Sequence, residues 1–185
     1  NKSVDVVVIS VINKYILPIA VEMLKSKKHI LCEKPLGRNA NESKKIIEVA
    51  EKNKLILKTG FNHRFHPAIM KAKFIVDSGQ IGEIINIRCR YGHGGRPGME
   101  NEWRSSKDLC GGGELLDQGI HLIDLTRWFL NSEIKEVFGQ VFTSFWAIEV
   151  DDNAFFTLKS DNNVYAQCHA SWTNWKNIFS LLLWN

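Results

Sequence analysis

The chain has 185 residues, with 24 Lys and Arg against 20 Asp and Glu for a net charge of +4, 44% apolar residues and 24% charged residues. That balance excludes a disordered, collagen-like or disulfide-scaffold chain, and a fold of this size can build a core without staples. The charge excess is dispersed, without a run of five or six like charges, which argues against a nucleic-acid partner.

In chain order, Val6-Val7-Val8-Ile9 is a β-branched run of the kind buried on both faces of a parallel sheet, so a strand is expected over 4–11. The chain opens at Asn1 with little upstream to supply neighbouring strands, and the apolar run Ile178 to Trp184 stops at Asn185 without a turn. Truncation at both ends is therefore expected. The stretch Val4 to Ile12, broken by Asp5 and Ser10, falls far short of the ~20 apolar residues a membrane helix needs, and no membrane span is expected. Asn13 reads as the cap of a helix with Pro18 in its first turn, running to about Lys27 on an apolar stripe of Ile16, Ile19, Ala20, Met23 and Leu24. A second strand, His29 to Cys32, ends at Glu33-Lys34-Pro35. Asn39, with Glu42 three residues on, resembles a capping box opening a helix to about Lys52, and Leu55 to Thr59 reads as a third strand. Strand, helix, strand, helix, strand is the doubly wound parallel pattern.

From about residue 80 the hydrophobic period becomes two. Ile85, Ile87, Cys89 and Tyr91 alternate with polar residues, as do Val164, Ala166, Cys168, Ala170 and Trp172, which predicts antiparallel strands with one buried face. Apolar runs at 136–146, 154–159 and 178–184 bring the strands to about five, with one strong helix at 114–130 between the first and second. The expected fold class is α/β plus α+β: part of a parallel sheet over residues 1–62, then a domain with a mostly antiparallel open sheet over 63–185. Cys32, Cys89, Cys110 and Cys168 form no C-x-x-C pair and read as reduced thiols of a cytoplasmic protein.

Glu33-Lys34-Pro35 follows the carboxyl end of a strand, where open α/β sheets bind ligands. A lysine there can orient a hydroxyl or carbonyl, with Pro35 fixing the turn that aims it; a solvated loop lysine beside a glutamate is the plain alternative. In Gly111 to Asp124, three glycines permit a close backbone approach and precede an apolar, buried helix. Asp117, His121 and Asp124, spaced i, i+4 and i+7, make one polar stripe that needs partners: a substrate in a cleft, or a neighbouring carboxylate holding a core histidine. Asp-x-x-x-His supplies only two metal ligands and nothing nearby completes the set, so no metal is expected. Gly92 to Gly98 departs from G-x-G-x-x-G and contains Pro97; it reads as a flexible loop over a binding site, with Trp103, Arg104 and Lys107 as candidate substrate contacts. Asn62 to Pro67 sits at the join of the two halves, where Arg64 or His66 is placed to touch a cofactor or hold the halves together, while His63 and His66 favour a structural reading.

Glu33-Lys34-Pro35, Asn62 to Pro67 and Gly111 to Asp124, in this order and spacing, resemble the glucose–fructose oxidoreductase / inositol dehydrogenase / MocA family over nearly the whole chain. The resemblance implies a Rossmann domain, then an α/β domain whose open sheet often forms the subunit interface, and hence a homo-oligomer. It implies an NAD(P)-dependent oxidoreductase acting on a carbinol of a sugar, cyclitol or sugar nucleotide. On this resemblance Lys34 is the lysine of the E-K-P motif, and Asp117 and His121 are the acid and the histidine of G-G-G-x-L-x-D-x-G-x-H. His121 would be the general acid/base, Lys34 would polarise the carbinol oxygen and help place the cofactor, and Asp117 would anchor a substrate hydroxyl; the lysine and histidine roles are exchangeable. NAD or NADP would meet Asn13, Glu33, Lys34, Pro35 and Arg64, with Trp103 and Arg104 toward the substrate. Two departures stand out: the family's glycine-rich pyrophosphate turn has no counterpart, and of its A-T-P-N-x-x-H only Asn13 survives in Ser10 to Ile16. Without that turn this chain alone is expected to bind cofactor poorly. The rival expectations are a non-catalytic oligomerisation or binding module and, more remotely, a metal-assisted hydrolase on Asp117 and His121.

Overall fold

The computed structural model describes residues 3–185; Asn1 and Lys2, at the head of the first expected domain, lie outside the described residues. Strands β1 (Val6–Ile9), β2 (His29–Cys32) and β3 (Leu57–Thr59) form a parallel sheet in that order, joined by helices α1 (Asn13–Lys25) and α2 (Ala40–Lys52). Ile9, Ile30 and Cys32 pack against Ile16, Ala20 and Leu24 of α1 and Ile46 and Ala50 of α2. Both helices cover the same face. Val6, Val8 and Leu31 on the other face are 55%, 66% and 43% exposed.

Two local expectations about α1 are corrected. Its cap is Ile12; Asn13 is the first helical residue, its side chain buried and donating to the Cys110 carbonyl at 2.8 Å. Pro18 lies in the second turn, where its missing N–H leaves the Lys14 carbonyl without its usual donor. Asn39 does cap α2, its side chain accepting from the Glu42 amide at 3.0 Å, but the Glu42 carboxylate closes on Arg38 instead of on Asn39.

A 3₁₀ turn at Asn62–Phe65 leads into α3 (Pro67–Asp77), which sequence reasoning did not anticipate; His66 caps it by accepting from the Ala68 amide. The second sheet contains β4 (Asn86–Gly92), β5 (Ile134–Phe142), β6 (Asn153–Ser160), β7 (Tyr165–Ser171) and β8 (Ile178–Trp184) in the order β5-β6-β7-β4-β8. Its neighbours are antiparallel except the β4–β7 pair. The inward residues Ile87, Cys89, Phe156, Leu158, Ala166 and Cys168 pack on Leu122, Leu125 and Phe129 of α5 (Ile120–Leu130). The outward face is open, with Phe138, Phe155, Tyr165 and Leu182 exposed.

The helix expected at 114–130 is built in pieces. A short helix α4 (Lys107–Cys110) stops at Gly111, whose φ of +89° is the left-handed conformation that glycine tolerates. A π-helical turn at Leu115–Gly119 then widens into α5. A third apolar cluster, Met99, Cys110, Val150 and Trp172, fills the space between these turns and the loop from β5 to β6. No helix among the described residues is long and apolar enough to cross a membrane, and all four cysteines are buried and free.

Candidate active site

The site starts from the end of β2. Lys34, followed by a cis peptide to Pro35, reaches across to the π turn, where its Nζ donates to Asp117 Oδ1 at 2.5 Å and to the Asp117 carbonyl at 2.6 Å. The turn is positioned from the far side by Asp151 at the end of the β5–β6 loop. The Gly113 amide donates to Asp151 Oδ1 at 2.9 Å, the Leu115 amide to Oδ2 at 2.8 Å and the Glu114 amide to the Asp151 carbonyl at 2.9 Å. A Cβ on Gly113 would lie 1.9 Å from the Asp151 carbonyl oxygen, so only glycine allows this approach. Asp152 pins the same loop by accepting from the amides of Ser144, Phe145 and Trp146 at 2.9, 2.8 and 3.0 Å. Burial alone would raise the Asp152 carboxyl, but these donors hold it below its ordinary value.

The polar stripe resolves into three separately partnered groups. Asp117 meets Lys34. Asp124 is gripped by Arg64, Nε to Oδ2 at 2.8 Å and Nη2 to Oδ1 at 2.5 Å. His121 is 4% exposed and meets the His63 ring edge-on at 4.0 Å; its Nδ1 has no hydrogen-bond partner among the described residues. Burial, then the charges of His63 and Lys34, push His121 down to about 3, so its imidazole is neutral at physiological pH. Burial lowers His63 in the same way. Beneath Asp117, the fully buried Glu114 is pushed up to about 10 by burial and by the negative charges of Asp117 and Asp151, and is therefore a neutral acid.

A cavity of about 510 Å³ opens at the carboxyl ends of β1 and β2. Asn13, Glu33, Lys34 and Pro35 line it from the parallel sheet, and Trp103, Arg104 and Asp117 from the second half. Seven of the sequence-derived candidates thus converge. Arg64 does not line this cavity, its guanidinium being occupied by Asp124; Lys107 lies outside it; and His121 sits behind, within electrostatic range of Lys34 and Asp117. A second cavity of about 280 Å³ adjoins the first through Arg104, Asp117 and Trp172 and is bounded by His93, Arg96 and Glu102, so the Gly92 to Gly98 loop flanks this cavity. A nicotinamide fits the larger cavity on chemical grounds: strand carboxyl ends on one side, and Lys34, Asp117 and the unpartnered His121 nitrogen near the other.

Three residues escaped sequence reasoning, and a fourth, His63, was read as structural. His63 carried a signal, lying in the turn that follows the carboxyl end of β3. Glu114 signalled itself only as a charged residue on an apolar helix. Asp151 and Trp172 contribute through tertiary contacts that no local pattern announces.

Residues 69–181 match the family model described as the GFO/IDH/MocA C-terminal domain, and residues 1–61 match the one described as an oxidoreductase family with an NAD-binding Rossmann fold. A levoglucosan dehydrogenase of Pseudarthrobacter phenanthrenivorans is 33% identical over 70% of this chain and 34% of its own length. An inositol 2-dehydrogenase of Rubrobacter xylanophilus is 32% identical over 73% of this chain and 37% of its own length. A solved levoglucosan dehydrogenase, in complex with NADH and levoglucosan, superposes over 100% of this chain and 53% of its own with a TM-score of 0.94 at 26% identity. The chain therefore spans about half the length of the solved relative and less of the two curated ones.

Proposed function

The chain belongs to the GFO/IDH/MocA family of oxidoreductases, and from that premise we propose that it forms the catalytic face of an NAD- or NADP-dependent dehydrogenase acting on a carbinol of a sugar, cyclitol or sugar nucleotide. The observation that carries the proposal is the Lys34–Asp117 pair, which joins the end of a parallel strand to the glycine-rich turn across the larger cavity. The nicotinamide, when bound, accepts or supplies the hydride. The Lys34 ammonium stabilises negative charge on the carbinol oxygen, and Asp117 holds Lys34 and accepts from a substrate hydroxyl. His121 takes the carbinol proton. An imidazole depressed to about 3 is a weak base in the empty site, but negative charge developing on the nearby oxygen raises its affinity for the proton as the reaction proceeds.

The same proposal divides the chain at 62/63, supported by the change of sheet across the Asn62–Phe65 turn. It takes the open outward face of the second sheet as the contact for a second copy, and the four free cysteines as suited to a reducing compartment such as the cytoplasm. The test is a titration of NADH into the chain, read by energy transfer from its six tryptophans, beside Lys34→Ala. Weak binding, weakened further by at least tenfold in Lys34→Ala, is expected, in line with the absent pyrophosphate turn. Identical curves for the parent chain and Lys34→Ala would refute the cofactor role assigned to Lys34.

A further inference from the structure

The smaller cavity is lined by two cations, Arg96 and Arg104, and two carboxylates, Glu102 and Asp117, and these are unevenly paired. Arg96 is neutralised by Glu102, Nε to Oε1 at 2.6 Å and Nη2 to Oε2 at 2.7 Å. Asp117 is neutralised by Lys34 at 2.5 Å. Asp151 is committed to the amides of Gly113 and Leu115. Glu33, the remaining carboxylate of the larger cavity, lies by Gly60 on the parallel-sheet side. Among the described residues Arg104 has no hydrogen-bonded carboxylate: its ion-pair partner Asp117 keeps Oδ2 at 4.0 Å, beyond hydrogen-bond reach, and its side chain is 43% exposed.

This guanidinium is also held in place. It lies over the Trp103 ring, 4.4 Å from the centroid, at the wall shared by both cavities. The larger cavity reaches the parallel sheet, where the cofactor side of the site lies; the smaller one is walled by residues of the second half alone. A group seated in the smaller cavity against Arg104 therefore belongs to the end of the substrate remote from the reacting carbinol. A planar guanidinium with free donors selects a planar, two-oxygen anion. A guanidinium flanked by Glu102 and Asp117 suits one negative charge better than two.

We propose that Arg104 determines specificity for a sugar acid, binding a carboxylate borne by the substrate at the mouth of the smaller cavity. This deepens the dehydrogenase reading and rests on it for the identity of the substrate as a carbohydrate. Trp172, almost wholly buried, backs both spaces, while Arg104 takes the charged substituent.

The experiment measures binding of D-glucuronate, D-glucose and D-glucose 6-phosphate to the purified chain by isothermal titration calorimetry at low salt, with the NADH titration run on the same sample as a separate arm. Glucuronate is expected to bind at least tenfold tighter than glucose and tighter than the phosphate ester. Arg104→Gln is expected to reduce the ratio of glucuronate to glucose affinity to below about two, and Arg104→Lys to leave it intermediate, with thermal melts confirming that both variants fold. Equal binding of glucose and glucuronate, preference for the phosphate ester, absence of binding by all three, or an unchanged ratio in Arg104→Gln would each overturn the assignment. Identical NADH curves for the parent chain and Lys34→Ala while the carboxylate preference stands would instead strike the dehydrogenase reading alone.

Discussion

At the scale of single residues, the site is organised by burial that suppresses charge. His121 stays neutral down to about 3, whereas in an unfolded chain it takes a proton below its ordinary 6.5. The unfolded state thus binds more protons between those values, so stability rises with pH across that window and falls by about 1.4 kcal/mol for each unit of acidification below pH 6.5. His121→Asn should flatten this slope: its melting temperature, relative to the parent chain, should rise as the pH is lowered from 7 to 4.5. A constant difference across that range would show that His121 is not held neutral. The residues that do the pairing were legible where chemistry and spacing coincide. Lys34 stood at a strand end and Asp117 on a polar stripe, and the structure brings them to 2.5 Å. Arg64 was legible as a charged residue at the join, yet its partner Asp124 lies 60 positions away on another element, a pairing that only the folded chain reveals.

At the scale of elements, the strands were read well and the helices less so. Alternation in β4 and β7 survives because one face of each meets α5 and the other is open. α3 was invisible because its apolar residues are spread round the helix, with Met70 and Phe74 exposed and only Ile69 among them fully packed. The π turn was hidden for another reason: its widening comes from anchoring at both ends, Asp151 holding the amides of Gly113 and Leu115 while Lys34 holds Asp117. Asp151 does the work of a helix cap from a distant loop. Asp151→Ala should cost about 1–2 kcal/mol of stability, seen as a lower urea midpoint with unchanged slope. A midpoint within error of the parent chain would mean that the turn holds its shape without the loop.

At the scale of the whole molecule, one sheet has both kinds of face and the outer one is unclothed. Phe155 on β6 is 50% exposed, its ring stacked on His169 at 3.9 Å and on Phe142 at 6.1 Å, forming an apolar strip among the exposed Arg88, Arg90 and Gln167. If a second copy covers this strip, Phe155→Lys should halve the mass measured by light scattering while shifting the melting temperature by less than about 3 °C for the separated chain. Equal masses for parent and variant would remove this face from the account of assembly. The two halves, by contrast, meet through polar contacts that converge on one short stretch: Asn13 on the Cys110 carbonyl, Lys14 and Arg38 on Asp108, Lys34 on Asp117. Apolar seams tighten in concentrated salt, whereas ionic ones are screened, the Debye length shrinking from ~10 Å at 0.1 M to ~3 Å at 1 M. The exposed Lys14 and Arg38 contacts with Asp108 then slacken while the half-buried Lys34 contact persists, so the ionic medium sets how firmly the two walls of the cleft are latched.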